Sequence, residues 1–349
     1  MTALSPARID RAVGAVLVSA AGDALGSAYE FGPALADEVV PAFGRGHFGH
    51  GEREWTDDTS MAVPILDELA AGHRLEDPSS LETIVHRWKE WARDALDVGA
   101  QTRQVLSRIP AGGGMDAITA ASRSVHDASG RSGGNGSLIR TGPVALGYLD
   151  RPREDLAAAA GAVARLTHWE DDNLDACALW CGAIRHGILT GELDMRAQLD
   201  LVPAERRGRW ADFIDATEGR HPRDFEQANG WIVRAFQGAL AAVSGAATPL
   251  DAIERAVRGG NDTDTVAAVA GSLAGAVWGA DALPASHAEG LHGWPGINGT
   301  ELAHRARAAL GAPSERNDDE TDYLMRSPEN ARRLHSALES ARTDRKPLG

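Results

Sequence analysis

The chain has 349 residues, of which 43% are hydrophobic and 24% charged, and its formal net charge at pH 7 is −15. This length and composition are typical of a globular protein with a sizeable core, and they exclude an intrinsically disordered chain. The negative charge argues against a nucleic-acid backbone as the main partner, because that binding depends on Lys and Arg neutralising phosphates. The longest apolar run, residues 266–280, is about 15 residues long and falls short of the roughly 20 that a membrane span needs.

Neither the N-terminus nor the cysteines indicate a secreted, disulfide-stabilised protein. Residues 1–10 contain no basic segment followed by an apolar stretch, so no secretory signal is visible and we expect a cytoplasmic protein. The two cysteines, Cys177 and Cys181, lie four residues apart in an apolar helical stretch, and two are too few for a disulfide framework. We expect both to be small buried hydrophobic residues, with a metal or redox pair as the alternative.

Apolar residues recur at helical spacing along most of the chain. In residues 9–21 they form one stripe, and in residues 81–96 they do so again, with the charged side chains of this second segment mostly on other faces. Four more Ala-rich segments have the composition of helices: residues 156–166, 174–189, 228–243 and 250–257. Alternation of β-branched residues, which is typical of strands, is nearly absent. The sequence therefore predicts an all-α domain.

Glycine-rich loops and the end of the chain depart from this helical pattern. The loops are residues 43–51, 111–114 and 130–136. On a helical scaffold, such loops are frequent places for ligand contacts. After Gly311 the composition changes, and residues 314–322 are strongly charged. We expect residues 1–311 to form the main domain and residues 312–349 a charged tail with a short helix near 328–341.

Two short motifs concentrate carboxylates and hydroxyls at predicted helix starts. They are Trp55-Thr56-Asp57-Asp58-Thr59-Ser60 and Gly259-Gly260-Asn261-Asp262-Thr263-Asp264-Thr265. Asp and Thr at these positions are typical N-caps, and the positive end of the helix dipole stabilises anions there. Capping accounts for one or two acids per helix, whereas each motif packs two carboxylates and flanking hydroxyls into five residues. Capped helix starts and a metal site are therefore both open hypotheses at this point.

The residue types select the metal that such a site would bind. Carboxylate and hydroxyl oxygens without Cys or His suit Mg²⁺, Mn²⁺ or Ca²⁺ rather than Zn²⁺ or copper. At ~5 Å and an effective dielectric of ~20, each pair of like charges costs about 3 kcal/mol, so clustered carboxylates need compensation. Two divalent cations would balance the four negative charges of Asp57, Asp58, Asp262 and Asp264. The helix after the second motif is apolar on all sides, which predicts that it lies inside a bundle.

These motifs, in their order, resemble the ADP-ribosylglycohydrolase family, which includes the glycohydrolase that reactivates dinitrogenase reductase. The matching pieces are residues 22–26 with Glu30 and Phe31, residues 56–59, residues 134–140 with Pro143, Thr167 and His168 with Asp175 and Ala176, and residues 261–265 with the helix to Gly279. The resemblance extends over residues 22–279, roughly three quarters of the chain. Five motifs in order are far more specific than any one of them.

The resemblance implies an orthogonal multi-helix bundle with a dinuclear Mg²⁺ or Mn²⁺ site at its centre. It implies metal ligation by Thr56, Asp57, Asp58, Asp262, Asp264 and Thr265. It implies catalytic roles for Asp57, Asp58 and Glu30, the last of which matches a glutamate on a mobile loop over the metals in some members. It implies binding of the phosphate and ribose groups by Gly133, Gly134, Asn135, Gly136, Ser137 and His168, with the glycine backbone approaching the pyrophosphate. The alternatives are a solvated loop acid for Glu30 and a helix-capping histidine for His168.

Two positions depart from the family's pattern. Pro64 lies inside the helix predicted after the first motif, where it removes a backbone hydrogen bond and is expected to kink the helix. Ser132 replaces an acid that some arginine-directed members have three residues before Asn135, which weakens an arginine-specific assignment.

The function implied by the resemblance is metal-dependent cleavage of the glycosidic bond at the anomeric carbon of ADP-ribose. The enzyme would release ADP-ribose from a modified arginine or serine side chain through an oxocarbenium-like transition state. Hydrolysis of a small ADP-ribose metabolite or of an ADP-ribosylated nucleobase is the alternative on the same fold. A non-catalytic ADP-ribose-binding module and a dinuclear phosphoester hydrolase are alternatives from other classes. The expected partner is an ADP-ribosylated protein or an ADP-ribose-containing small molecule, without a nucleic acid or a membrane.

Overall fold

The computed structural model describes residues 4–311, which form helices joined by loops and a single short hairpin. Within these residues the α-helices are α1 Pro6–Gly26, α2 Asp57–Ala70, α3 Pro78–Trp91, α4 Ala100–Arg108, α5 Met115–Ser129, α6 Leu138–Thr141, α7 Val144–Gly147, α8 Arg153–Arg165, α9 Asp171–Thr190, α10 Arg207–Asp215, α11 Ile232–Ser244, α12 Pro249–Val257, α13 Thr263–Trp278, α14 Ala285–Ala288 and α15 Gly299–Ala309. Short 3-10 helices span Asn135–Ser137, Arg196–Leu201 and Pro222–Phe225. The hairpin pairs β1, His292–Gly293, antiparallel to β2, Ile297–Asn298. The predicted charged tail and its short helix lie outside the described residues.

All six segments with helical composition are largely helical, so the all-α prediction is confirmed. Two boundaries were wrong. The segment predicted to end at residue 96 ends at Trp91, because Arg93 and Asp94 donate their backbone N–H groups three residues back and tighten the last turn. The segment predicted to begin at residue 228 begins at Ile232, because Ala228 has a left-handed backbone with φ of 63°.

The first acid motif begins a helix that continues past Pro64. A proline inside a helix lacks the N–H that would bond to the carbonyl four residues earlier. Helix α2 nevertheless extends to Ala70, and Ile65 and Leu66 beyond the proline are fully buried. Burial of this apolar face holds the helix together after the lost bond, so the proline does not end α2.

Helix α13 lies at the centre of the described bundle. It packs against α1, α9, α11 and α12, and every residue from Thr263 to Ala276 is buried. Its backbone touches that of α1: a Cβ at Gly22 would lie 2.3 Å from the carbonyl oxygen of Ala267, and one at Gly275 would lie 2.0 Å from that of Gly14. This close approach places the second acid motif, at the start of α13, beside the C-terminal half of α1.

Two further expectations concern side-chain burial and membrane spans. Cys177 and Cys181 are free and buried in α9, as predicted. Within residues 4–311, none of the helices combines the length and the apolar character needed to cross a bilayer.

The contact between α1 and α13 leaves no room for a side chain at Gly275. We expect Gly275→Ala to lower the free energy of unfolding by about 1–3 kcal/mol, because the new methyl group forces the two helices apart. The matched control is Gly208→Ala in α10, where a Cβ would meet nothing within 4 Å and the stability should stay the same or rise slightly. Urea unfolding of the two variants checks this, and equal stabilities would contradict the close packing.

Candidate active site

Both acid motifs begin helices, but their N-cap side chains do not cap them. Thr56 is the N-cap of α2 and Asp262 that of α13, and neither makes a side-chain capping bond. The Thr56 hydroxyl instead donates to Asp23 Oδ1 at 2.8 Å, and Asp262 Oδ2 accepts from Asn135 Nδ2 at 2.7 Å. Helix capping therefore does not account for these side chains.

Asp23 of α1 anchors the first motif. Its Oδ1 accepts from the backbone N–H and hydroxyl of Thr56 at 2.9 and 2.8 Å, and its Oδ2 accepts from those of Thr59 at 3.0 and 2.6 Å. The four donors match the roughly four lone-pair sites of a carboxylate, so Asp23 orients the start of α2. Sequence reasoning assigned Asp23 no role, although an acid inside an otherwise apolar helix was a signal.

Carboxylates from three segments form two clusters that share Asp264. Oxygens of Asp23, Asp58 and Asp264 lie within 4.8 Å of one another, and so do oxygens of Glu30, Asp262 and Asp264. Asp58 is buried, and its Oδ2 has no hydrogen-bond partner. An unpaired buried carboxylate oxygen is costly, and a hard divalent cation is the partner that suits it. The residues present therefore fit a metal ion.

The other predicted ligands have different surroundings. Asp57 lies in neither cluster, although it faces the same cavity. The hydroxyl of Thr265 lies 3.4 Å from Asp58 Oδ1, so the two motifs meet across the start of α13.

Burial and mutual repulsion make these carboxyl groups weak acids in the protein without a bound cation. Burial, followed by repulsion from Asp262 and Asp97, raises the pKa of Glu30 to about 9. Burial, followed by repulsion from Asp97 and Asp23, raises the pKa of Asp57 to about 8. The pKa values of Asp58 and Asp264 lie well above the usual range, again mainly through burial. A divalent cation would compete with protons for these oxygens.

A cavity of about 360 Å³ joins the acids to the glycine-rich loop. This volume is within the range of small-molecule sites. The predicted site residues that line it are Glu30, Asp57, Gly134, Asn135, Gly136, His168, Asp262, Asp264 and Thr265. Residues that line it without having been predicted include Phe31, Phe48, Asp97, Gln101 and Thr102. No motif spacing marks Asp97 or Gln101 in the sequence, so only the folded chain identifies them.

The glycine-rich loop is held from behind. Asn135 N donates to the carbonyl of Gly230 at 3.0 Å, and Ile232 N donates to that of Gly133 at 3.0 Å. The Ser137 hydroxyl is fully buried and accepts from Asn173 Nδ2 at 2.8 Å. Gly133 and Ser137 do not line the cavity, so they position the loop, while the residues between them face the cavity.

His168 is buried just before α9, with its ring against the glycine-rich loop. Its Nδ1 lies 2.7 Å from the hydroxyl of Thr167. The N-cap of α9 is Glu170, so His168 is not a helix cap. Burial, with help from the positive charge of Arg140, holds the pKa of His168 well below its usual range. The ring is therefore neutral near pH 7.

The segment that carries Glu30 is tied to the second acid motif. Phe31 N donates to the carbonyl of Asn261 at 2.7 Å, and Asn261 N donates to that of Gly32 at 2.8 Å. Phe31 and Asn261 both have left-handed backbones, with φ of 59° and 60°. A strained backbone persists only where surrounding contacts hold it. Here the two backbone hydrogen bonds hold it, and the partly buried Glu30 lies close to Asp262. Glu30 is not a solvated loop acid.

The all-α bundle, with oxygen donors clustered beside a glycine-rich loop, is the arrangement expected of an ADP-ribosylglycohydrolase. The chain belongs to the ADP-ribosylglycohydrolase family, whose sequence pattern matches residues 4–319.

The chain is 32% identical over 291 residues to ADP-ribosylarginine hydrolase Tri1 of Pseudomonas putida (strain GB-1), covering 79% of this chain and 72% of that protein. It is 32% identical over 294 residues to ADP-ribosyl-dinitrogen reductase glycohydrolase of Rhodospirillum rubrum, covering 80% and 89%. A solved structure described as an ADP-ribosylglycohydrolase-related protein complex superposes with a TM-score of 0.63 at 28% identity, covering 87% of this chain and 98% of that chain.

The anchoring role of Asp23 predicts a loss of metal affinity when its charge is removed. In Asp23→Asn the amide nitrogen donates rather than accepts, so N–H or hydroxyl groups of the first motif lose their acceptor. We expect Mn²⁺ affinity, measured by calorimetric titration, to fall about 10–100-fold, as is typical for groups that orient metal ligands. Thr59→Ser keeps the hydroxyl and is the control with near-normal affinity. Unchanged Mn²⁺ affinity in Asp23→Asn would rule out the anchor.

The raised carboxyl pKa values predict how metal stabilisation depends on pH. Since Glu30 and Asp57 hold protons more tightly in the folded chain than in the unfolded chain, the free energy of unfolding without metal falls as the pH rises from about 4 towards 9. A cation that replaces these protons should raise the Tm more at pH 8.5 than at pH 5.5. Thermal unfolding with Mg²⁺ and with EDTA measures this difference. A larger Tm shift at pH 5.5 would contradict the assignment, and Asp264→Asn should show little shift at either pH.

Proposed function

We propose that this protein hydrolyses the glycosidic bond between ADP-ribose and an arginine side chain of a modified protein. The observation that carries the proposal is the pair of carboxylate clusters sharing Asp264, of which Glu30, Asp262 and Asp264 face one cavity together with the glycine-rich loop. The Pseudomonas and Rhodospirillum relatives, whose names specify ADP-ribosylated arginine and ADP-ribosylated dinitrogen reductase, support this substrate class. We propose residues 1–311 as the catalytic domain and the cytoplasm as its compartment.

Two divalent cations are the proposed cofactors, held from two sides. Thr56, Asp57 and Asp58 would contribute from the start of α2, and Asp262, Asp264 and Thr265 from the start of α13. Asp264 is suited to lie between two ions because it belongs to both clusters. All of these donors are oxygens, which favours Mg²⁺ or Mn²⁺. When bound, the cations would supply Lewis-acid orientation of the ribose hydroxyls and neutralise the acid cluster.

The glycine-rich loop is the proposed site for the pyrophosphate. A Cβ at Gly134 would lie 3.4 Å from His168 Nε2, and one at Gly136 would lie 3.2 Å from His168 Cε1. Side chains at these glycines would cover the ring, so the two glycines keep both the backbone and the His168 edge open to a ligand. With the pyrophosphate at the loop, the distal ribose would lie beside the acids, since Asn135 of the loop donates to Asp262 at 2.7 Å.

Glu30 and Asp57 are suited to the chemistry at the anomeric carbon. Glu30 lines the cavity with its carboxylate oxygen within 4.8 Å of those of Asp262 and Asp264, so it would be placed to pass a proton to the leaving nitrogen. The carboxylate of Asp57 would stabilise the positive charge that develops on the ribose ring in the transition state. Asp58, which is buried and does not line the cavity, would act by holding metal rather than by touching substrate.

Aromatic faces that line the cavity favour a guanidinium leaving group over a serine hydroxyl. Phe31 and Phe48 line the cavity, are 57% and 41% exposed, and pack edge to face with their centroids 6.0 Å apart. Planar cations bind well over aromatic faces. Ser132, where some arginine-directed members have an acid, donates its backbone N–H to the Glu170 carboxylate at 2.6 Å, so a carboxylate lies next to this position.

The test is release of free ADP-ribose from arginine-linked and serine-linked ADP-ribosylated peptides, with Mg²⁺, Mn²⁺ or EDTA. We expect metal-dependent release from the arginine-linked peptide, and a loss of at least about 100-fold in kcat/KM for Asp264→Asn with the fold retained. The matched control is Asp212→Asn, which removes an exposed acid of α10 and should leave turnover unchanged.

Other outcomes point to the alternatives. Release from the serine-linked peptide alone would replace arginine with serine as the substrate. Hydrolysis of a small ADP-ribose ester or of an ADP-ribosylated nucleobase, without release from either peptide, would indicate a metabolite or nucleobase hydrolase. Tight ADP-ribose binding without any turnover would indicate a binding module, and phosphate release from simple esters would indicate a phosphoester hydrolase.

A further inference from the structure

Arg140 of α6 is a fully buried arginine whose surroundings contain no paired carboxylate. Among the described residues, no Asp or Glu oxygen lies within salt-bridge distance of its guanidinium. The guanidinium lies over the ring of Trp88 at 4.2 Å, and its Nε has no hydrogen-bond partner. Burial lowers the pKa of Arg140 to about 9, so the group is still charged near pH 7. A buried unpaired cation is costly, which indicates a role beyond packing.

The shortest hydrogen bond of Arg140, to Thr167, determines which groups donate and which accept between Arg140, Thr167 and His168. Its Nη2 lies 2.6 Å from the hydroxyl oxygen of Thr167. Every nitrogen of a guanidinium is a donor, so Thr167 Oγ1 must accept here. The single hydroxyl proton of Thr167 is then directed to the other close partner, Nδ1 of His168, at 2.7 Å.

The hydrogen bond that Nδ1 accepts from Thr167 decides which ring nitrogen of His168 carries the hydrogen. A neutral imidazole has one N–H, and an Nδ1 that accepts from Thr167 leaves that N–H at Nε2. Nε2 is the nitrogen that faces the positions of Gly134 and Gly136, at the edge of the cavity. The ring therefore presents a donor to the cavity. The opposite tautomer would present a lone pair, which repels phosphate and hydroxyl oxygens.

We propose that Arg140 is a positioning residue that acts through Thr167 to lock His168 as the neutral Nε2–H tautomer, a fixed donor to an oxygen of bound ADP-ribose. The inference rests on the proposed function for the ligand that fills the cavity. The positive charge of Arg140 behind the ring also opposes protonation of His168, so His168 binds substrate without exchanging protons with it. Glu30 and Asp57 remain the groups suited to the proton transfers and to the developing charge.

The Thr167 hydroxyl offers a matched pair of variants for the test. Thr167→Val keeps the shape and removes the hydroxyl, whereas Thr167→Ser keeps the hydroxyl. In the full-length protein labelled with ¹⁵N-histidine, we expect the wild type and Thr167→Ser to have Nδ1 without a proton and Nε2 with one. Thr167→Val should lose this preference and bind ADP-ribose about 5–10-fold more weakly by calorimetry, since one hydrogen bond is lost. Thr167→Ser should bind as the wild type does.

Two results would overturn the lock. One is a proton on Nδ1 of His168 in the wild type, and the other is wild-type ADP-ribose affinity in Thr167→Val. Replacing the cation directly gives a second measurement: Arg140→Lys, which keeps the charge and a donor, should retain the Nε2–H tautomer better than Arg140→Met. The NMR signal needs no turnover. A wild type with the locked tautomer that releases no ADP-ribose from either peptide would therefore contradict the proposed function and leave the lock standing.

Discussion

The site depends on the contact between α1 and α13, which is close enough for the two backbones to touch. Gly22 and Gly275 allow this contact, which places the start of α13 and its acid motif beside the C-terminal half of α1. Asp23, the residue after Gly22 in α1, holds the start of α2 through four hydrogen bonds. Three segments far apart in sequence thus bring their carboxylates together in a buried place, where each raises the pKa of its neighbours.

The same arrangement separates residues that hold the site from residues that act in it. Asp23 and Ser137 are buried and hydrogen-bonded to other protein groups. Glu30 and Asp262 instead face the cavity and are only partly buried. This division follows from the chemistry of carboxylates: one that accepts four protein donors is rigid, whereas one with an unpaired oxygen is available for a cation or a substrate.

The sequence predicted the fold class and about half of the residues that line the cavity, because helical periodicity and short motifs are local signals. Residue types identified both acid motifs and the glycine-rich loop, and the resemblance to the family identified Glu30. The sequence did not identify Asp97, which lies outside every motif, or the chain from Arg140 through Thr167 to His168. These depend on which segments pack against each other, and helix ends such as Trp91 depend on hydrogen bonds that periodicity does not specify.

The carboxylates that converge at the starts of α2 and α13, with Asp264 in both clusters, would hold the two proposed divalent cations. The most direct measurement is a crystal structure of the protein with Mn²⁺, in which anomalous scattering locates the ions. We expect two peaks, both within coordination distance of Asp264, with one near the unpaired Oδ2 of Asp58. A map with no peak at these carboxylates, or with peaks only at surface acids, would contradict the account.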